Sequence, residues 1–393
     1  MLKIMKRSKA KKASLQGMAP GRALLVLFAV SLAASGLVLS ANANERKTAI
    51  ITFDAPGAGT GSGQGTEGIA ISPNGTIAGY YFDSGTVIHG YVRDKHGGIT
   101  TFDAPGAGTG SGQGTFAFSI SPNGTIVGYY FDSGNVVHGY VRSRDGTFTT
   151  FDVTGAGTGS GQGTFSGNIN PAGAIAGFYV DASGVNHGFV RAPDGAVTTF
   201  DAPGAGTSSG QGTVTALVDG LNPAGAIAGN YTDPSGVVHG YVRAPDGTIT
   251  TFDAPGAGTS SGLGTASAGI NPAGTVMGLF TDASGVFHSF VRAANGGVTT
   301  YDVPGAGTSP GQGTEGMAIN PVGTIPGNYI DASNVNHGFV RDKHGGITTF
   351  DAPGAGTGIG QGTFALTDNP AGAIVGNYLD SSNVFHGFLL EGE

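Results

Sequence analysis

The chain has 393 residues, no cysteine and no tryptophan, and 26 acidic against 18 basic residues, for a net charge of −8. Disulfides and thiolate metal sites are excluded, and the acidic balance argues against nucleic acid as a partner. Glycine supplies 75 residues, but 39% of the chain is apolar and no Gly-X-Y period runs through it, so neither collagen nor plain disorder fits.

The first 43 residues read as an export leader. Lys3, Lys6, Arg7, Lys9, Lys11, Lys12 and Arg22 precede an apolar run over 23–39, closed by the small-x-small pattern Ala41-Asn42-Ala43. Cleavage is expected after Ala43, with 44–47 as a linker; an uncleaved anchor is the alternative, since the run approaches spanning length. Without the leader, 11 basic residues face 26 acidic ones, a net charge of −15. The mature protein is expected to be secreted, periplasmic or extracellular, with no membrane span and as a monomer. Its partners are expected to be neutral, cationic or metal-bridged rather than nucleic acid.

Residues 48–54, TAIITFD, form an isolated β-branched strand stopped by Ala55-Pro56-Gly57. Its aromatic-Asp pair returns at Phe102, Phe151, Phe200, Phe252, Tyr301 and Phe350, spaced by 49 residues except for one interval of 52. Such a period marks a repeat architecture. Each full unit reads as four strands. In the second copy, a is 116–121, b 125–131, c 136–142 and d 147–152. Pro122-Asn123-Gly124, Asp132-Ser133-Gly134 and Arg144-Asp145-Gly146 are hairpin turns between them. The fourth connection, PGAGTGSGQGT over 105–115, is longer than the crossing to the next unit needs and is expected to fold over the face with slack.

Strand d begins at Thr48, Ile99, Thr147, Ala196, Thr248, Gly297 and Gly346, and the a-b-c set also occurs seven times, ending at Leu389-Leu390. The chain opens with a lone d and closes with a lone a-b-c. The predicted fold is therefore all-β, a seven-bladed β-propeller of four-stranded antiparallel blades over 48–393, closed by joining the two chain ends. A β-solenoid is the alternative. Glycines inside strand b (Gly128, Gly177) and after the His of strand c (Gly139, Gly188) need aromatic cover, and Tyr140 and Phe189 are the nominated residues.

The strings His138-Gly139-Tyr140-Val141-Arg142 and His187-Gly188-Phe189-Val190-Arg191, each followed by a Gly turn and then a Thr-Thr-Phe-Asp string, resemble the HAF family of bacterial extracellular repeats. The match runs over 48–390. Gly stands where the family name has Ala, and Ser289 departs further. The resemblance implies secretion and repeat architecture and no reaction.

Seven histidines recur in strand c: His89, His138, His187, His239, His288, His337 and His386. Six residues before each stands a turn Asp: Asp83, Asp132, Asp181, Asp233, Asp282, Asp331 and Asp380. A catalytic or metal-binding pair is needed once, not seven times, so the expected role is structural, with Asp closing its turn and His bonding backbone. A second set of acids, among them Asp54, Asp103 and Asp253, follows strand d and is read as turn-initiating. The b–c turns and glycine-rich d–a loops share one face. Its oxygen-rich surroundings would suit calcium, though no dedicated calcium-loop spacing is present and no cofactor is otherwise expected.

Departures from the repeat single out three acids. An insertion near Leu217–Gly220 adds Asp219, and Glu67 and Glu315 replace apolar residues at the first variable position of strand a. Both glutamates are expected to reach the channel mouth, binding a cation, acting as an acid/base pair or simply solvated. The expected function is a secreted binding or scaffold propeller for a glycan, peptide or cell-surface polymer. The alternative is a lyase or hydrolase at the channel mouth. No catalytic residue and no metal ligand is assigned.

Overall fold

A computed structural model describes residues 49–216 and 218–392. The expected leader, its cleavage site and the 44–47 linker lie outside the described residues. The described chain is built of 28 strands. After the lone β1 (Ile50–Phe53), unit 1 contains β2 (Gly65–Ile71), β3 (Ile77–Phe82), β4 (Ile88–Arg93) and β5 (Ile99–Phe102). The same a-b-c-d order recurs in units 2 to 6. Unit 7 has β26 (Gly362–Asp368), β27 (Ile374–Leu379) and β28 (Phe385–Leu390). Its fourth strand is β1, antiparallel to β28 from Ile50↔Leu390 to Phe53↔Gly387.

The expectation of a propeller of seven separate four-stranded blades is corrected by the pairing between units. Strand c of each unit also pairs in parallel with strand a of the next, at Ile88↔Gly114 and Val137↔Gly163 and, across the chain ends, at Phe385↔Gly65. All 28 strands therefore belong to one sheet. It closes on itself through 21 strands, the a, b and c of every unit, while the seven d strands branch from its outer edge. The molecule is a closed, propeller-like ring of continuous sheet, and the closure equally rules out an open solenoid.

Glycine is the physical reason. The first residue of each strand a lies at φ between 107° and 128°. A Cβ on Gly114 would stand 2.0 Å from the Ile88 carbonyl oxygen. Only glycine lets the two backbones approach to pairing distance in that conformation. The glycine-rich loop is accordingly not slack. Gly112 N–H donates to the Thr86 carbonyl, and Gly108 N–H to the Phe131 carbonyl. The Gln113 amide ties Gly110 N–H to the Ser133 carbonyl. The strand-b glycines are covered as the sequence indicated, with Tyr140 over Gly128 and Phe189 over Gly177, whereas Phe151 and Phe200 of strand d cover the strand-c glycines Gly139 and Gly188.

The two faces are held differently. On the turn face, made by the a–b and c–d turns, Asn170 accepts from Ala172 and Ala174 N–H through Oδ1, and its Nδ2 donates to the Asn222 carbonyl of the next unit. Asn222, Asn271, Asn320 and Asn369 repeat this donation around the ring, the last to the Ser72 carbonyl. Five seams are clasped this way. In units 1 and 2 serine takes the place of Asn, and the Ser72 and Ser121 hydroxyls donate instead to Asn74 and Asn123 within their own turns. Those two units send no side-chain clasp onward.

Candidate functional site

The most repeated polar grouping lies on the opposite, loop face. Pairing of β4 with β5 sets Asp103, just beyond β5, 2.9 Å from His89 Nδ1, while the β3–β4 turn sets Asp83 Oδ2 3.6 Å from Nε2. The same Asp–His–Asp arrangement forms around His138, His187, His239, His288 and His337. Around His386 it joins Asp380 to Asp54 from the other chain end. Sequence reasoning gave His a backbone partner; its nearest partner is instead the aspartate that follows strand d. The strand register explains this, because Gly90↔Phe102 pairing places the preceding His beside the following Asp. The turn aspartates do close their turns, Asp83 Oδ1 accepting from Gly85 and Val87 N–H at 2.8 Å.

Each histidine also stacks on a ring of strand b, Tyr81 on His89 with centroids 5.0 Å apart. The hydrogen bond with Asp103 raises the His89 pKa, against the opposing pull of burial. Burial pulls Asp181 and Asp380 up, but backbone donors and the neighbouring His hold both below the usual carboxylate range. The outer aspartates are the open members, Asp103 being 54% exposed. Their carboxylates can accept hydrogen bonds from hydroxyl groups. Among the described residues no group of three or more acids, His or Cys is disposed to hold a metal ion.

Glu67 and Glu315 do not reach a channel mouth, and they are not brought together. Glu67 is buried beneath Tyr80, whose hydroxyl donates to it at 3.0 Å. Tyr80 in turn packs on Phe116 of unit 2 at 4.8 Å, which places the acid in the seam between units. Burial pushes Glu67 up to about 7, the Tyr80 hydrogen bond opposing. Glu315 is buried against Asn328, which donates at 2.8 Å, and burial pushes it up to about 8. Acid/base work by this pair has no geometric basis.

Asp219 sits on the insertion with φ 52°, its carbonyl accepting from Ile270 N–H at 2.9 Å. Part of its surface remains open, yet it is enclosed at longer range, and burial pushes it up to about 6. Burial and the nearby Asp219 charge also raise Asp368, which accepts from Asn320 Nδ2 at 2.7 Å. Sequence reasoning missed Asp368. Its signal was present, since the same place in other units holds Ile71, Ile120, Ile169, Leu221, Ile270 and Ile319.

No protein-family model and no curated protein matches the chain. Among solved structures, the BP39L lectin of Burkholderia pseudomallei superposes with a TM-score of 0.56 at 12% identity, covering 82% of this chain and 94% of that one. The fungal lectin of Aleuria aurantia, a six-bladed β-propeller, gives 0.34 at 14% identity over 72% of this chain and 93% of that one. A puromycin hydrolase gives 0.44 at 13% identity over 84% of this chain and 52% of that one. The first supports a shared all-β, propeller-like fold. The other two are too distant to carry an argument.

Proposed function

We propose that the chain is an exported carbohydrate-binding repeat protein that holds a neutral polymer on its loop face. The observation that carries this is the seven-fold Asp–His–Asp array, with a half-exposed carboxylate in every unit. Identical acceptors at regular intervals suit a ligand that repeats its hydroxyl groups, and weak contacts multiply when several engage one chain. The acidity of the face disfavours polyanions. The leader pattern and the resemblance to extracellular HAF repeats support a role outside the cytoplasm, and the fold likeness to a lectin is compatible with it.

The test is binding to immobilised neutral polysaccharides before and after the triple change Asp103→Asn, Asp201→Asn and Asp302→Asn. Each substitution keeps an acceptor for its histidine and removes the charge. Apparent affinity for the polymer should fall at least tenfold, since avidity gains of 10²–10⁴ collapse when sites are lost. The melting temperature should stay within a few degrees. Absent polymer binding, or binding indifferent to the triple change, overturns the reading.

A further inference from the structure

We infer that the turn face carries one additional, unrepeated sugar site, in the seam between units 2 and 3. The inference rests on the carbohydrate-binding reading but concerns a different face and a different stoichiometry. Where five of the seams are drawn together by an Asn clasp, Ser121 sends no side chain across to unit 3. A cleft of about 220 Å³ opens there, lined among others by Ser121, Asn123, Ser143, Asn170, Arg191 and Pro193. The preceding seam also lacks the clasp, but the stem of Arg144 lies over Gly124, with Cγ 3.3 Å from where a Cβ would stand. The equivalent cover over Gly173 is the shorter Pro193, at 3.7 Å. An unclasped Ser turn therefore faces a short proline at this one seam, whereas the other unclasped turn faces the long Arg144.

The chemistry of the cleft selects its ligand. Arg191 lies over the Phe151 ring at 5.0 Å. Among the described residues every ion pair joins a His to an Asp, so no carboxylate satisfies its guanidinium. Its planar fork matches two adjacent oxygens. The turn engages only the amide oxygen of Asn123, which leaves its amide nitrogen as a further donor beside the Ser143 hydroxyl. Proline and aliphatic walls complete a mixed polar and apolar surface. The volume is below the roughly 300–1,000 Å³ typical of drug-sized ligands, so it takes one sugar ring rather than an oligomer. Asp145 and Asp194 flank the cleft in sequence and repel an acidic sugar.

The experiment copies a clasped turn into unit 2, using Ser121→Asn with Asn123→Ala, as in the Asn-Pro-Ala-Gly turns of units 3, 4, 5 and 7. Calorimetry and ligand-observed NMR are run with free neutral hexoses and 6-deoxyhexoses, with glucuronate as the charged control. The expected result is one bound monosaccharide per chain, weakened at least tenfold by the double change, with a melting temperature no lower than that of the parent. Arg191→Lys, which keeps the charge and loses the fork, should weaken binding at least tenfold as well. Seven sites per chain, a preference for glucuronate, or affinity unchanged in both variants overturns the inference. If no monosaccharide binds while the polymer assay is positive, the cleft is overturned and the loop-face reading stands. If both are negative, both fall.

Discussion

Glu67 and Glu315 set the pH response of the ring. Both carboxyls are protonated more readily when folded than the ordinary value of 4.5, being pushed up to about 7 and about 8. Between 4.5 and those values the unfolded chain has released protons that the fold still holds, so stability falls as pH rises through the window. Ionising Glu67 in place costs about 3 kcal/mol by pH 9, at 1.36 kcal/mol per pKa unit. His89, raised by Asp103, acts in the same direction, its contribution fading as pH climbs through its folded value. The lowered Asp181 and Asp380 act oppositely and are lost in acid. Replacing Glu67 and Glu315 together by Gln should leave stability near the parent at pH 5 and raise it by several kcal/mol at pH 9. Urea melts across pH 5–9 decide this. A parallel pH slope in parent and variant would remove the buried acids from the account.

At the level of strands and loops, the period, the turn chemistry and the four-strand unit were legible in the sequence, because Asn-Gly, Asp-Gly and Ser-Gly turns announce hairpins locally. Strand b of unit 2 is read at 125–131 and runs Ile126–Phe131. What was illegible is the meaning of the glycines between units, since a glycine tract looks the same whether it is loose or wedged against another backbone. Gly112 and Gly114 separate the two cases. Gly112 has φ 77° with nothing within 4 Å of a Cβ, whereas Gly114 has φ 120° and the Ile88 carbonyl at 2.0 Å. Gly112→Ala should cost about 1–2 kcal/mol, the left-handed penalty alone. Gly114→Ala should cost at least about 3 kcal/mol, because a glycine-only conformation and a backbone clash combine. Chemical denaturation of the two variants side by side makes the comparison, and equal losses would show that the bridges between units contribute nothing.

For the whole molecule, counting strands located the partner of β1, but it could not tell separate sheets from a continuous one. That distinction depends on a single pairing per seam, made on one side by a glycine that carries no side chain to betray it. The acids chosen as departures were likewise legible as residues but not as places, since Glu67 is drawn into a seam by Tyr80, a neighbour 13 positions away. Closure is where the continuous sheet has its largest consequence. β1 pairs only four residues with β28, but Phe53 covers Gly387, meets the Tyr91 ring at 6.2 Å and lies under the Arg93 guanidinium at 5.0 Å. Asp54 adds the hydrogen bond to His386 at 3.0 Å. One short strand therefore reinforces the Phe385↔Gly65 pairing and the Asn369 clasp that join unit 7 to unit 1, and its removal exposes the edge of β28 together with Gly387 of strand c and Gly68 of strand a, the glycines beside Phe53. A chain starting at Gly57 should melt in two phases, the earlier involving units 7 and 1, with amide exchange in β28 accelerated at least a hundredfold over a chain starting at Ala49. A peptide spanning 48–56 should restore single-phase melting, because the edge it leaves is otherwise preformed. A sharp single transition at the parent temperature without that peptide would mean that the ring holds together through its 21-strand circuit alone, with β1 as an ornament on its rim.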